Sequence, residues 1–172
     1  MILAINDLPI PIVCAVQGAA AGLGMALALS CDFVVADRAA YFMAPFARLG
    51  LIPDGGVAWI LARAIGRVRA IQLLMTAEKL SAQKACDWGL ISQLAEDDKL
   101  TDAAWDVAEK LSKGPTLALA GIRRLVGEAG VAELGAALSL ERDLQRKIPA
   151  TLDCQEGNAA FREKRAPRFV GR

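Results

Sequence analysis

Apolar residues fill the first half of the chain in short runs broken by glycine and proline. Ile12 to Gln17 lies between Pro11 and Gly18, and its length and bounds predict a buried strand. Ala21 to Leu29 is rich in Ala and Leu and apolar nearly all round, which predicts a buried helix. Phe33 to Ala36 predicts a second buried strand and Tyr41 to Met43 a third. Strand, helix and strand in this span fit a right-handed crossover with parallel strands. Pro45 to Pro53 has no period and predicts irregular chain. Helical spacing returns over Val57 to Ala64 and Val68 to Met75, with Gly66 as the break. Ser81 before Ala-Gln-Lys reads as an N-cap opening a helix that ends near Gly89, and Leu90 to Leu94 as a short strand. Met1 to Leu8 reads as the end of a helix, stopped by Pro9 and Pro11.

The pattern changes after Asp97. Thr101 to Lys113, Pro115 to Glu128, Val131 to Lys147 and Thr151 to Lys164 all read as amphipathic helices, separated by Gly114-Pro115, Gly130 and Pro149. The expected organisation is an α/β layer over residues 1–96 and a helical layer over 97–172.

Composition narrows the chemistry. Apolar residues make up 55% of the 172, enough for a large core of Ala, Leu, Ile and Val. No run reaches the roughly 18–20 uncharged residues of a membrane span, and Met1 to Pro11 lacks the basic start of a signal peptide. The cytosol is the expected compartment, with no membrane role. A net charge of +1 argues against a nucleic-acid partner. The five basic residues from Arg162 to Arg172, opposed by Glu163 alone, read either as a solvated tail or as a site for a phosphorylated ligand or partner chain. Cys14, Cys31, Cys86 and Cys154 form no C-x-x-C, so neither a zinc site nor a redox pair is expected, and Cys14 and Cys31 read as core. There is no histidine, which removes His-based nucleophile pairs, a His general base and His-ligated metals. Acid–base work then falls to a carboxylate, Lys, Tyr or Cys, or to a group from another chain.

Two stretches carry candidate chemistry. Gly18, Gly22 and Gly24 lie where a strand runs into a helix, so backbone N–H groups without helical partners can meet a ligand closely. The spacing is neither a Walker loop nor the dinucleotide fingerprint. One reading is an oxyanion site for a carbonyl that becomes an enolate; the other is close helix–strand packing. Asp54, in Pro-Asp-Gly-Gly, reads as the N-cap of the helix after it, or as a proton carrier in a pocket walled by Phe46, Leu49, Leu51, Ile52 and Trp59. A cap held charged by backbone N–H groups is a poor base. Asp32, at a helix-to-strand junction, reads as structural.

Four ordered motifs carry a resemblance. Val16 to Asp32, Phe42 to Gly56, Leu80 to Ile91 and Glu156 to Arg165 together resemble the enoyl-CoA hydratase/isomerase (crotonase) family over nearly the whole chain. The resemblance implies a spiral of β-β-α turns, incomplete at its N-terminus, followed by a helical C-terminal trimerisation region. It implies an acyl-CoA thioester substrate, no cofactor beyond that coenzyme A, no metal, and a homotrimer or dimer of trimers. The Leu23 N–H falls at the family's second oxyanion donor, with Gly22, Gly24 and Phe46 against the substrate. Phe161 and Lys164 fall where the last helix approaches the nucleotide end of CoA, with the Lys164 ammonium toward phosphate. Family hydratases carry two glutamates where this sequence has Ala26 and Phe46. Asp54 matches the working aspartate of some isomerase members, in a turn one residue shorter than the common Pro-Asp-x-Gly-Gly. The segment that supplies the family's early strands and first oxyanion N–H has no counterpart here.

Three activities follow. The first is double-bond isomerisation through an enolate, with Asp54 as proton shuttle and Leu23 N–H on the oxyanion. The second is an enoyl-CoA hydratase of fatty-acid breakdown using some other base. The third is a truncated, non-catalytic acyl-CoA-binding or assembly subunit.

Overall fold

The computed structural model describes residues 1–49, 51–128 and 147–172. Its contacts divide the chain into two compact units. The first comprises Met1–Leu8 and Ile12–Val107, the second Pro9–Pro11 and Ala108–Arg172. The division falls inside a helix, where the change of sequence pattern sets it near Glu96.

The first unit opens with a short helix α1 (Ile2–Asn6), then strands β1 (Val13–Val16) and β2 (Ala19–Ala21), helix α2 (Leu23–Leu29), and strands β3 (Phe33–Ala36) and β4 (Tyr41–Met43). Among the described residues the strands form two three-stranded sheets. β1 pairs with β3 in parallel, Val13 opposite Phe33 through Val16 opposite Ala36, and β2 pairs with β4 in parallel, Ala19 opposite Tyr41 through Ala21 opposite Met43. The two strand pairs therefore follow one another along the chain. Gly18, at φ +68°, makes the bend between β1 and β2, and its carbonyl accepts from Tyr41 N–H at 2.9 Å. β5 (Leu80–Ser81) closes the second sheet antiparallel to β4, and β6 (Gln93–Leu94) closes the first in parallel to β3.

The sequence puts the helix start at Ala21, whereas the structure has a strand over Ala19–Ala21 and a helix from Leu23. The break is Gly22, at φ +56°, whose N–H donates to Met43 O at 2.9 Å. Alanine carries little strand signal, so the pairing with β4 decides this segment. A 3-10 turn (Pro45–Leu49) leads on to α3 (Val57–Ala64) and α4 (Gly66–Thr76). Gly66, at φ +79°, separates them. α5 (Ala82–Asp87) is capped by Ser81, whose Oγ accepts from Lys84 N–H at 3.3 Å.

The core sits between α2 and the sheets. Met25, Ala26 and Ala28 pack from α2 among Val16, Val34, Phe42, Val57, Leu61, Leu73 and Leu80. Small side chains on α2 and the strands let the helix backbone come close. Phe42 is the largest fully buried side chain among the described residues, and its burial contributes about 1.5–3 kcal/mol.

Helix α6 (Leu100–Ser112) runs from the first unit into the second. The second unit also holds α7 (Thr116–Glu128), a 3-10 turn (Ile148–Ala150) and α8 (Leu152–Glu163). The helix expected over Val131 to Lys147 lies, apart from Lys147, outside the described residues. Thr151 caps α8, its Oγ1 accepting from Cys154 N–H at 3.1 Å. The chain after α8 folds back along it: the ring of Phe169 lies against Gly157, 3.6 Å from where a side chain there would begin. No helix among the described residues is long and apolar enough to cross a membrane.

Candidate active site

Leu23 is the first residue of α2, so its N–H precedes the helix's own hydrogen-bond ladder, at the positive end of the helix dipole. The left-handed φ of Gly22 aims the chain into that helix, and Gly22 also leaves room for Phe46, whose ring tip lies 3.9 Å from where a Gly22 Cβ would sit. At Gly24 nothing lies within 4 Å of the corresponding position. Ala26 is fully buried and Phe46 nearly so, at 8% exposure. The two positions at which the resemblance expects hydratase glutamates therefore present a methyl group and a phenyl ring.

The turn carrying Asp54 comes to the same helix. Gly55, at φ +60°, packs so closely that a Cβ on it would lie 2.6 Å from Ala26 Cβ and 3.1 Å from Leu23 Cδ1. Leu23, Ala26, Phe46 and the Pro53–Gly56 turn are thus brought together around the start of α2.

Two expectations about Asp54 are corrected. It does not cap α3: the cap position is Gly56, at φ +76°, with no side-chain hydrogen bond, and Asp54 takes part through its backbone carbonyl, which accepts from Val57 N–H at 3.2 Å. Two successive glycines at positive φ stand between Asp54 and the helix, and Gly56 takes the cap position. Nor do the expected residues enclose it. Asp54 is exposed, and so are Leu51, Ile52 (86%) and Trp59 (54%). The side chain of Leu49 lies outside the described residues. Trp59 instead stacks with Arg63, whose guanidinium carbon is 4.3 Å from the ring centre.

Asp32 is structural as expected, its Oδ2 accepting from Ile12 N–H at 2.8 Å. Among the described residues no three His, Cys, Asp or Glu side chains group closely enough to hold a metal ion.

In the second unit Phe161 lies in the last turn of α8 and Lys164 directly follows that helix. The Phe161 side chain lies outside the described residues. Lys164 is exposed at φ +55°, where the chain leaves the helix. The basic tail is not loose in solvent. Asp153, 2% exposed, accepts from Val170 N–H at 2.6 Å and Gly171 N–H at 2.9 Å. Glu156 accepts from both Arg165 terminal nitrogens, at 2.6 and 2.9 Å, and from Arg168 N–H at 2.8 Å. The Arg165 bond, then that from Arg168, hold the Glu156 carboxyl at about 2, well below its ordinary 4.5. An open cavity of about 610 Å³ lies beside this clasp, lined by Leu152, Asp153, Glu156, Arg165, Arg168 and Val170. Sequence reading missed the two acids of the clasp. Their signal was the capping Thr151 with Asp153 in the first turn of the helix, facing a tail rich in donors.

The sequence model described as Enoyl-CoA hydratase/isomerase matches residues 1–172. The chain is 44% identical over 165 residues to a 1,2-epoxyphenylacetyl-CoA isomerase of Escherichia coli, covering 96% of this chain and 63% of that protein. It is 41% identical over 170 residues to a probable enoyl-CoA hydratase of Rhodobacter capsulatus, covering 98% and 66%. Among solved structures, an enoyl-CoA hydratase from a Polaromonas species superposes with a TM-score of 0.93 at 41% identity, over 98% of this chain and 66% of that one. The fold is therefore crotonase-like, and the chain spans just under two thirds of the length of these relatives.

Proposed function

The chain belongs to the enoyl-CoA hydratase/isomerase family, and from that premise we propose that it shifts a double bond along an acyl-CoA thioester, with Asp54 carrying the proton. The observation that carries the reading is the packing of the Asp54 turn on α2. Gly55, the residue after Asp54, packs against Ala26 and Leu23 of α2, which supports a site shared by this turn and the helix start. The Escherichia coli relative is named as an isomerase of an epoxide carried on CoA, which supports isomerisation as the reaction class.

Asp54 takes a proton from the carbon next to the thioester carbonyl. The electron pair moves onto the carbonyl oxygen, where the Leu23 N–H and the helix dipole stabilise it; one such donor contributes about 10²–10³ in rate. The protonated Asp54 then returns the proton two carbons further along, and the double bond moves one place toward the carbonyl. No water enters the product. Gly22, Gly24 and Phe46 line the path of the acyl group, and Phe161 and Lys164 are assigned to the nucleotide end of CoA. The helical region after Glu96 is assigned to trimer contacts, alone or as a dimer of trimers, and the compartment is the cytosol.

Hydration is the second reading, favoured by the name of the Rhodobacter relative and opposed by Ala26 and Phe46 at the glutamate positions. A 3-enoyl-CoA and, separately, a 2-enoyl-CoA in ¹⁸O-labelled water separate the two. Conversion of the 3-enoyl to unlabelled 2-enoyl-CoA, with no label entering from the 2-enoyl substrate, is expected. Labelled 3-hydroxyacyl-CoA from the 2-enoyl-CoA, with the 3-enoyl-CoA left unchanged, would replace isomerisation with hydration. Failure to bind or turn over any acyl-CoA would overturn both and leave an assembly role.

A further inference from the structure

Arg63, Arg67, Arg69, Lys79 and Lys84 lie between Gly55 and Trp88, with only Glu78 and Asp87 against them. Both acids accept from glutamines, Glu78 from Gln72 at 2.9 Å and Asp87 from Gln83 at 2.8 Å. Among the described residues none of the five cations pairs with a carboxylate. Four of them stack on aromatic rings instead. Arg63 lies over Trp59 and Lys79 over Tyr41, while Arg69 of α4 and Lys84 of α5 share Trp88, each 4.7 Å from its ring centre. Trp88 packs against the core, so its ring is a fixed platform for the two cations. A cation already held over a ring loses little further freedom on pairing, and a stacked guanidinium keeps the donors in its own plane free.

α4 adds an apolar stripe to these cations. Its Ala70 and Leu73 are buried, whereas Val68 (77% exposed) and Met75 (72%) face solvent, with exposed Gln72 between them. The helical rise sets Val68 and Met75 about 10 Å apart along the axis, two turns of helix. Arg67 and Arg69, both exposed, flank Val68 in the chain. We propose that this face of α4 and α5 docks an acidic amphipathic helix of a partner protein. Apolar side chains two turns apart on the partner cover Val68 and Met75, and its carboxylates pair with Arg67, Arg69 and Lys84.

Charge complementarity sets the sign of the partner, and the apolar stripe sets its class. A nucleic acid or a free phosphate would take the cations and leave Val68 and Met75 uncovered. An anionic lipid surface is met by a helix that turns a broad apolar face outward, whereas α4 turns its Ala70 and Leu73 face to the core. The apolar contacts contribute most of the affinity. Each exposed ion pair changes binding by up to about fivefold, and covering one methionine by roughly tenfold.

The test uses the whole chain and a fluorescein-labelled helical peptide with leucines seven residues apart among glutamates, followed by anisotropy. Saturable binding is expected, weakened by salt and lost when the peptide's glutamates become glutamines. Met75→Ser should weaken it roughly tenfold, and Arg67→Gln and Lys84→Gln up to about fivefold each, with Tm unchanged in all three. No binding, or binding indifferent to salt or to these substitutions, would overturn the proposal. Single-stranded DNA or phosphatidylglycerol vesicles bound at this face, and released by the same substitutions, would overturn it in favour of a phosphate ligand. Self-association of the chain that Met75→Ser abolishes would overturn it in favour of a second copy.

Discussion

Gly55→Ala tests the contact on which the site is built. The native φ of +60° costs an L-residue about 1–2 kcal/mol. The new methyl would also stand 2.6 Å from Ala26 Cβ, which is roughly 1 Å inside the optimal carbon–carbon separation. Ala26 is fully buried on a helix and its Cβ cannot rotate away, so the overlap costs a further ~1–3 kcal/mol. The smaller backbone entropy of the unfolded alanine variant offsets about 0.4–1 kcal/mol of this. A net loss of about 2–4 kcal/mol corresponds to a fall in Tm of roughly 5–15 °C for a chain of this length. Gly56→Ala is the matched control. Gly56 has φ +76° but nothing within 4 Å of its Cβ position, so only the backbone cost of about 1 kcal/mol applies. Thermal and urea unfolding of both variants, with Ala26→Gly and the Ala26→Gly, Gly55→Ala double variant, gives the coupling between the two positions. The double variant should recover about 1–3 kcal/mol relative to the sum of the singles. Equal losses in Gly55→Ala and Gly56→Ala, with no coupling to Ala26, would refute the close packing of the turn on α2.

Three further outcomes follow from the hydrogen bonds. Asp153→Ala removes a buried carboxylate that holds two backbone donors; a loss of about 2–4 kcal/mol is expected, with faster hydrogen exchange at Val170 and Gly171. Glu156 is held at about 2 when folded against an ordinary 4.5, so its stabilisation is complete above about pH 4.5 and is lost as pH falls toward 2. Glu156→Gln should therefore flatten the dependence of Tm on pH within that window and leave the curve parallel to wild type above it. Ser81→Ala should cost about 0.5–1 kcal/mol in urea unfolding, at the low end for a cap because the bond to Lys84 N–H is 3.3 Å long.

Local signals carried far along this chain. β3, β4 and α3 lie where apolar runs and breaks put them, because each is decided by its own residues and bounds. Ser81 caps α5 for the same reason. The misses share a non-local cause. Ala19–Ala21 is a strand only because Tyr41–Met43 offers it a ladder. Asp54 does not cap because Gly55 and Gly56, both at positive φ, intervene and Gly56 takes the cap position, and Gly55 packs against Ala26 on a helix far back in sequence. Its own turn marked Asp54 as a candidate and the resemblance supplied Leu23, whereas the packing that brings their segments together could not be read from either segment. The clasp of Asp153 and Glu156 on the tail likewise depends on the chain folding back after α8.

Asp54→Asn bears most directly on the central claim. The carboxylate is exposed and caps no helix, so the exchange should leave Tm and acyl-CoA affinity unchanged. The measurement is the rate of conversion of a 3-enoyl-CoA to a 2-enoyl-CoA by wild type and variant, with affinity for a saturated acyl-CoA measured beside it. Loss of the proton carrier should lower kcat by about 10²–10⁴-fold at constant affinity. Turnover within about twofold of wild type would contradict the claim and remove Asp54 from the chemistry.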